Sequence, residues 1–192
     1  MLKREKKIVR PDSGRAFLWR AQKAFGGVSF RPRLPQPAAQ LVFWATVAAG
    51  ITLDLWTKKA VFECLRNRPS ITIIDGFVQL VMVGNPGAAF GIAGGQRWLL
   101  TAASVIALIV IFAFLLFGRA HQKLAHIVLG LLTAGVCGNL YDRIFNDGLV
   151  RDFIDVYYRR WHWPAFNIAD SMLCVGVGLI IISSFRDSKR PS

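Results

Sequence analysis

Cysteine and histidine are both scarce in this chain, three of each among 192 residues. Cys64, Cys137 and Cys174 each lie in or beside an apolar run, none forms a CxxC pair, and their number is odd. That pattern argues against a disulfide framework and a zinc site. The three read as plain packing residues, since the thiol is commonly buried. His121, His126 and His162 are too dispersed to supply a histidine-based triad or a zinc centre. No serine has a base beside it where the polar residues gather, and no internal repeat is visible. A cleavable signal peptide is also not expected. The basic lead before the first apolar stretch is far too long, and that stretch ends in Asp54-Leu55-Trp56-Thr57-Lys58 instead of a run of small residues.

What is abundant is apolar surface and positive charge. Hydrophobic residues make up 54% of the chain, more than a soluble domain carries, and the net charge is +13. Ten of the 24 Lys and Arg precede residue 40, and the others punctuate apolar runs. Charge so placed suits anionic lipid headgroups and cytoplasmic anchoring. A nucleic-acid partner is not expected, because no soluble domain presents the charge.

A bilayer span needs roughly 20 apolar residues, and four segments qualify: 38–65, 98–117, 124–141 and 165–185. The expected fold is an α-helical membrane protein of four transmembrane helices with a small extracytoplasmic β-sheet and loop region. Residues 1–37 are expected to be a disordered basic cytoplasmic tail, either solvated or with a short amphipathic helix over 15–25 lying on the membrane. Residues 38–187 form the transmembrane domain, and 188–192 a cytoplasmic C-terminus. The excess of Lys and Arg in the tail, at Arg119 and Lys123, and at the C-terminus puts both termini in the cytoplasm. Connections 66–97 and 142–164 then face outward. The first carries two β-rich runs split by Asp75-Gly76, a hairpin signal. The second is expected to be a loop whose Tyr157, Tyr158, Trp161 and Trp163 suit an interfacial aromatic belt.

With this topology the polar residues fall at one depth, near the outer surface. Asp54 and Lys58 share a face of the first helix in the favourable acid-first order. Asn139, Asp142 and Arg143 share a face at the end of the third, and Asn167 and Asp170 share one in the first turn of the fourth. Asn85 and Asp152 lie in the outward connections. Ionisable groups at such positions are costly and usually functional or paired. The cluster offers carboxylates flanked by amides and arginine. Two close carboxylates do not both ionise readily, so one retains its proton and the pair suits acid–base work on a water and a carbonyl. A Mg²⁺ site is the competing use of such a cluster. Asp152 and Asp170 are otherwise helix caps or partners for Arg143 and Arg151. Asp142 with Arg143 reads as an orienting pair, Asp54 with Lys58 as a supporting pair, Asp147 and Asp155 as solvated loop charges, and Gly130, Gly135 and Gly138 as a packing stripe.

Four motifs in order resemble those of the lipoprotein signal peptidases: Asp54-Leu55-Trp56-Thr57-Lys58; Asn85-Pro86-Gly87-Ala88-Ala89-Phe90-Gly91; Gly138-Asn139-Leu140-Tyr141-Asp142-Arg143 through Gly148-Leu149-Val150-Arg151-Asp152-Phe153; and Pro164-Ala165-Phe166-Asn167-Ile168-Ala169-Asp170-Ser171. The resemblance implies an inner-membrane aspartic endopeptidase, with Asp152 and Asp170 catalytic and its site near the outer face. Asn85, Asn139, Arg143 and Asn167 are implied to line the site and hold substrate backbone, and Asp54, Lys58 and Asp142 to support it. It implies a diacylated prolipoprotein substrate cut before the lipidated cysteine, contact with membrane lipids, inhibition by globomycin, and no metal or cofactor. A polytopic transporter or lipid-binding protein is the alternative. Three features depart from the family pattern, the first being the long basic tail, which lies outside the match. The interval between Asp142 and Asp152 is one residue longer, so a bulge is expected over 144–147, and Pro86 removes a backbone donor.

Overall fold

A computed structural model of the chain describes residues 37–88, 93–117 and 123–187. The N-terminal tail with its expected surface helix, Ala89-Phe90-Gly91 of the second motif, Arg119 and the C-terminal residues 188–192 lie outside the described residues. The elements run α1 (Pro37–Cys64), β1 (Ser70–Ile74), β2 (Val78–Asn85), α2 (Arg97–Phe117), α3 (Lys123–Phe145), β3 (Val150–Tyr158), β4 (Trp161–His162) and α4 (Ile168–Asp187).

Helices α1, α2 and α3 are each long and apolar enough to cross a membrane. The fourth is apolar over the shorter stretch Ile168–Ser183. At 1.5 Å per residue that stretch is roughly 24 Å long, short of a hydrocarbon core of about 30 Å. Its first turn carries the polar Asp170 and Ser171. Leu99, Ile106, Ile109 and Phe114 of α2 are exposed, as are Ile181, Ile182 and Phe185 of α4. Helices that are apolar on their outer face as well as their inner one fit lipid surroundings.

α3 is central and packs against the other three helices. Its glycines make this possible, because side-chain-free surface lets backbones approach. A Cβ at Gly130 would press on Thr46 and the Phe43 carbonyl, one at Gly135 on the Ala169 carbonyl and Leu173, and one at Gly138 on the Asp54 carboxylate. Phe43, Val47 and Leu115 form one buried cluster between α1 and α2. Ala134, Ala169 and Met172 form another between α3 and α4.

The four strands make one antiparallel chain of neighbours, β1-β2-β3-β4. Asp75-Gly76 turns β1 into β2 as expected, with Gly76 at φ 72°. The connection 142–164 differs from the expected loop. Its middle is the nine-residue strand β3, which pairs with β2 so that Asp152 lies opposite Val83 and Val150 opposite Asn85. Alternation along Val150-Arg151-Asp152-Phe153-Ile154-Asp155 is broken by charged residues at the second, third and sixth places, which hides the strand from a search for apolar runs. α3 also runs past residue 141 to Phe145, and the chain then reverses through Asp147 (φ 51°) and Gly148 (φ 85°). The cysteines depart from expectation as well: Cys64 and Cys174 are exposed, and Cys137 is half-buried.

Candidate active site

Two local features bring the last two motifs together. Phe166, just before α4, forms a backbone bridge with Ile154 of β3, its N–H donating to the Ile154 carbonyl and its carbonyl accepting from Phe153 and Ile154. Asn167 then caps α4. Its side-chain oxygen accepts the Asp170 N–H at 3.0 Å, while the Asp170 carboxylate accepts the Asn167 N–H at 3.2 Å. This reciprocal box satisfies two donors of the helix start. Asp54 satisfies a third by accepting the Ala169 N–H at 2.8 Å.

The same Asn167 serves the other carboxylate. Its amide nitrogen donates to Asp152 at 2.6 Å and to the side-chain oxygen of Asn139 at 3.1 Å. Asn139 in turn donates to Asp170 at 2.7 Å. Asn85, the last residue of β2, donates to the second oxygen of Asp152 at 2.9 Å, and its own oxygen accepts the Gly87 N–H at 2.8 Å. Pro86 sits inside that turn, where its missing N–H is not required. Asp152 and Asp170 therefore face one cluster of amides and are linked through Asn167, whose side-chain nitrogen donates to the Asp152 carboxyl and whose backbone N–H donates to that of Asp170. Burial pushes the Asp152 carboxyl up to about 6, and the neighbouring Asp170 adds to the push, while the Asn85 and Asn167 donors oppose it.

Beneath the pair lies a buried ionic group. Lys58 is fully buried and holds Asp54 at 2.7 Å and Asp142 at 3.2 Å. It also donates to the Asn139 side-chain oxygen at 3.1 Å. Asp142 is gripped from its other side by Arg151, whose guanidinium donates twice, at 2.6 and 3.0 Å, and whose backbone N–H donates at 3.0 Å. The expected pairing of Asp142 with Arg143 is thus replaced. Adjacent helical residues point about 100° apart, and Asp142 turns to Lys58 and Arg151 while Arg143 donates to the Gly87 carbonyl at 3.1 Å. Asp155 is also not a solvated loop charge. It is buried in β3, accepting from Gln79 at 2.6 Å and meeting His162 at 2.9 Å. Asp147 is exposed. Among the described residues no three His, Cys, Asp or Glu side chains converge as a metal-holding group.

Residues 46–186 match the family model described as signal peptidase (SPase) II. The chain belongs to the signal peptidase II family. A lipoprotein signal peptidase of Halalkalibacterium halodurans is 36% identical over 78% of this chain and 96% of its own length. One from Alteromonas mediterranea is 39% identical over 78% and 82%. Among solved structures, a bacterial membrane enzyme determined by the in meso method at 2.3 Å superposes with a TM-score of 0.69 at 30% identity, covering 85% of this chain and 97% of that one. Membership makes the chain a membrane peptidase of bacterial type. All nine residues singled out as site candidates lie in or beside this one cluster. Sequence reasoning missed Arg151 as the second anchor of Asp142. Its signal was its place next to Asp152, and the unrecognised strand concealed it.

Proposed function

We propose that this signal peptidase II removes the signal peptide of prolipoproteins as an aspartic endopeptidase, with Asp152 and Asp170 as the catalytic pair. The observation that carries the proposal is Asn167, which hydrogen-bonds both carboxyls and so fixes them beside one another. A water between them would lose a proton to the ionised carboxylate and attack the scissile carbonyl carbon. The protonated partner would give its proton to the carbonyl oxygen. Collapse of the tetrahedral diol would then break the C–N bond as the leaving amine takes a proton from the pair. Arg143 and Asn85, at the edge of the site, are assigned to the substrate backbone. Asn139 and Asn167 spend their amide donors on the carboxylates and position them instead.

The substrate side is a prolipoprotein cut before its diacylated cysteine, within reach of membrane lipid. Both termini are assigned to the cytoplasm, α4 to a fourth span, and the site to the outer face of the inner membrane, on the distribution of Lys and Arg. Globomycin is assigned as an inhibitor on the family resemblance. The test is cleavage of a diacylated prolipoprotein by purified protein. Asp152→Asn and Asp170→Asn each abolish product while the folded fraction stays at the wild-type level. Wild-type product from either variant removes that residue from the pair.

A further inference from the structure

The ammonium of Lys58 is joined to the catalytic pair through Asn139, with neither carboxyl among its partners. Its partners are Asp54 on its own helix, Asp142 and Asn139 on α3, and, at the 3.5 Å limit, the Gly138 carbonyl. Ammonium offers only donors, so the Asn139 oxygen must turn toward Lys58 and the Asn139 nitrogen toward Asp170. Asn167, whose nitrogen donates to the same Asn139 oxygen, reinforces that orientation. The result is a chain of charge-assisted bonds from Lys58 through Asn139 to Asp170. We propose that Lys58 is a positioning residue for the reaction, acting through the Asn139 amide to orient Asp170 and offsetting the buried acids beside the pair so that it keeps a single shared proton.

The charges around the pair support an electrostatic role. Asp54 and Lys58 approach from α1, Asp142 and Arg143 from α3, Arg151 from β3, and Asp170 itself from α4. From β2, Asn85 faces the pair and brings no charge. Asp54 and Asp142 balance Lys58 and Arg151, which leaves Arg143 as the cation matching one negative charge on the pair. Without Lys58 the balance moves by one negative charge a few ångströms from the carboxyls. The pair then binds its protons more tightly, because a neighbouring negative charge disfavours ionisation.

The inference rests on the aspartic reading, and the experiment separates the two. Cleavage of diacylated prolipoprotein is followed across pH for wild type, Lys58→Met and the double variant Asp54→Asn/Lys58→Met, with Asp152→Asn and Asp170→Asn as controls. Lys58→Met is expected to lower kcat by about tenfold or more with KM nearly unchanged, and to move the whole pH profile to higher pH. The double variant removes one charge of each sign. It is expected to return the profile to its wild-type position while kcat stays about tenfold low, since Asn139 still lacks its anchor. A neutral pair of this kind is commonly tolerated where a lone buried charge is not, so the double variant decides the matter if Lys58→Met does not fold. Wild-type kcat in the folded double variant, or a wild-type profile in folded Lys58→Met, overturns the role of Lys58. Wild-type cleavage by the Asp152 or Asp170 control overturns the aspartic reading instead.

Discussion

Asp152→Asn, expected to abolish cleavage, should at the same time stabilise the fold, and only above a definite pH. The Asp152 side chain is almost wholly buried, 1% exposed, and its carboxyl is pushed from an ordinary 3.8 to about 6. A folded-state value above the unfolded one means that the native protein binds more protons between those limits. The carboxyl therefore carries no penalty below about pH 4, and costs stability progressively as pH rises toward 6. At about 1.4 kcal/mol per unit, a shift of roughly two units costs about 3 kcal/mol at pH 7 and above. Asparagine does not titrate, so it escapes that cost. Its own cost is that one of the two donors, Asn85 or Asn167, must face an NH₂ group, about 1–2 kcal/mol at every pH. The variant is thus expected to be slightly less stable than wild type at pH 4 and more stable at pH 8. The difference between the proteins changes by about 3 kcal/mol, on the order of 6–12 °C in unfolding midpoint for a chain of this size. Thermal unfolding in detergent at pH 4, 6 and 8 measures it. A difference that stays constant with pH, or that runs against the variant as pH rises, refutes the claim that burial of this carboxylate is the source of strain.

The pH profile of kcat/KM is expected to be bell-shaped, with its alkaline limb near 6 where Asp152 gives up the shared proton. An excess of EDTA is expected to leave the rate unchanged, and a loss restored by Mg²⁺ would count for metal catalysis. Gly135→Ala drives a Cβ to 2.7 Å from the Ala169 carbonyl and into Leu173, pushing α4 off α3. That overpacking is expected to cost about 1–3 kcal/mol of stability and to lower kcat as well, because Asp170 travels with α4, read by unfolding midpoint and single-turnover cleavage.

Most of the helical frame was legible from apolar length alone, since hydrocarbon demands long apolar stretches and the sequence supplies them at 98–117 without a single charge. The fourth helix was harder, because the residues that begin it are polar by necessity: Asn167 and Asp170 cap it and face the site. Strand β3 was not legible. Arg151, Asp152 and Asp155 occupy positions that in an ordinary half-buried strand alternate between core and solvent, and here each is held by a partner from another element: Asp142, Asn167 and Gln79. Spacing could put Asn139, Asp142 and Arg143 on one helix face. It could not say that Asp142 reaches down to Lys58 while Arg143 reaches across to Gly87, because those partners lie 84 and 56 residues away. Asp142 is residue 142 and Lys58 residue 58, and no local pattern carries such a separation.

The separations explain why the motifs lie so far apart along the chain yet converge. Each contributes something that the others need in order to be buried. Asp54 would be an uncompensated charge without Lys58, and also closes the start of α4 by taking the Ala169 N–H. Asp142 needs both Lys58 and Arg151, and by holding Arg151 it fixes the strand that carries Asp152. Removing one member of a buried ionic set leaves its partner exposed to the full desolvation cost, about 3–5 kcal/mol. Such a set is maintained as a unit, and it forms a rigid polar floor under two carboxyls whose own proximity is unfavourable. A pair of carboxyls on mobile loops would relax apart. Fixed by Asn167 between a helix start and a strand, they cannot, and the strain stays where the proposed reaction would use it.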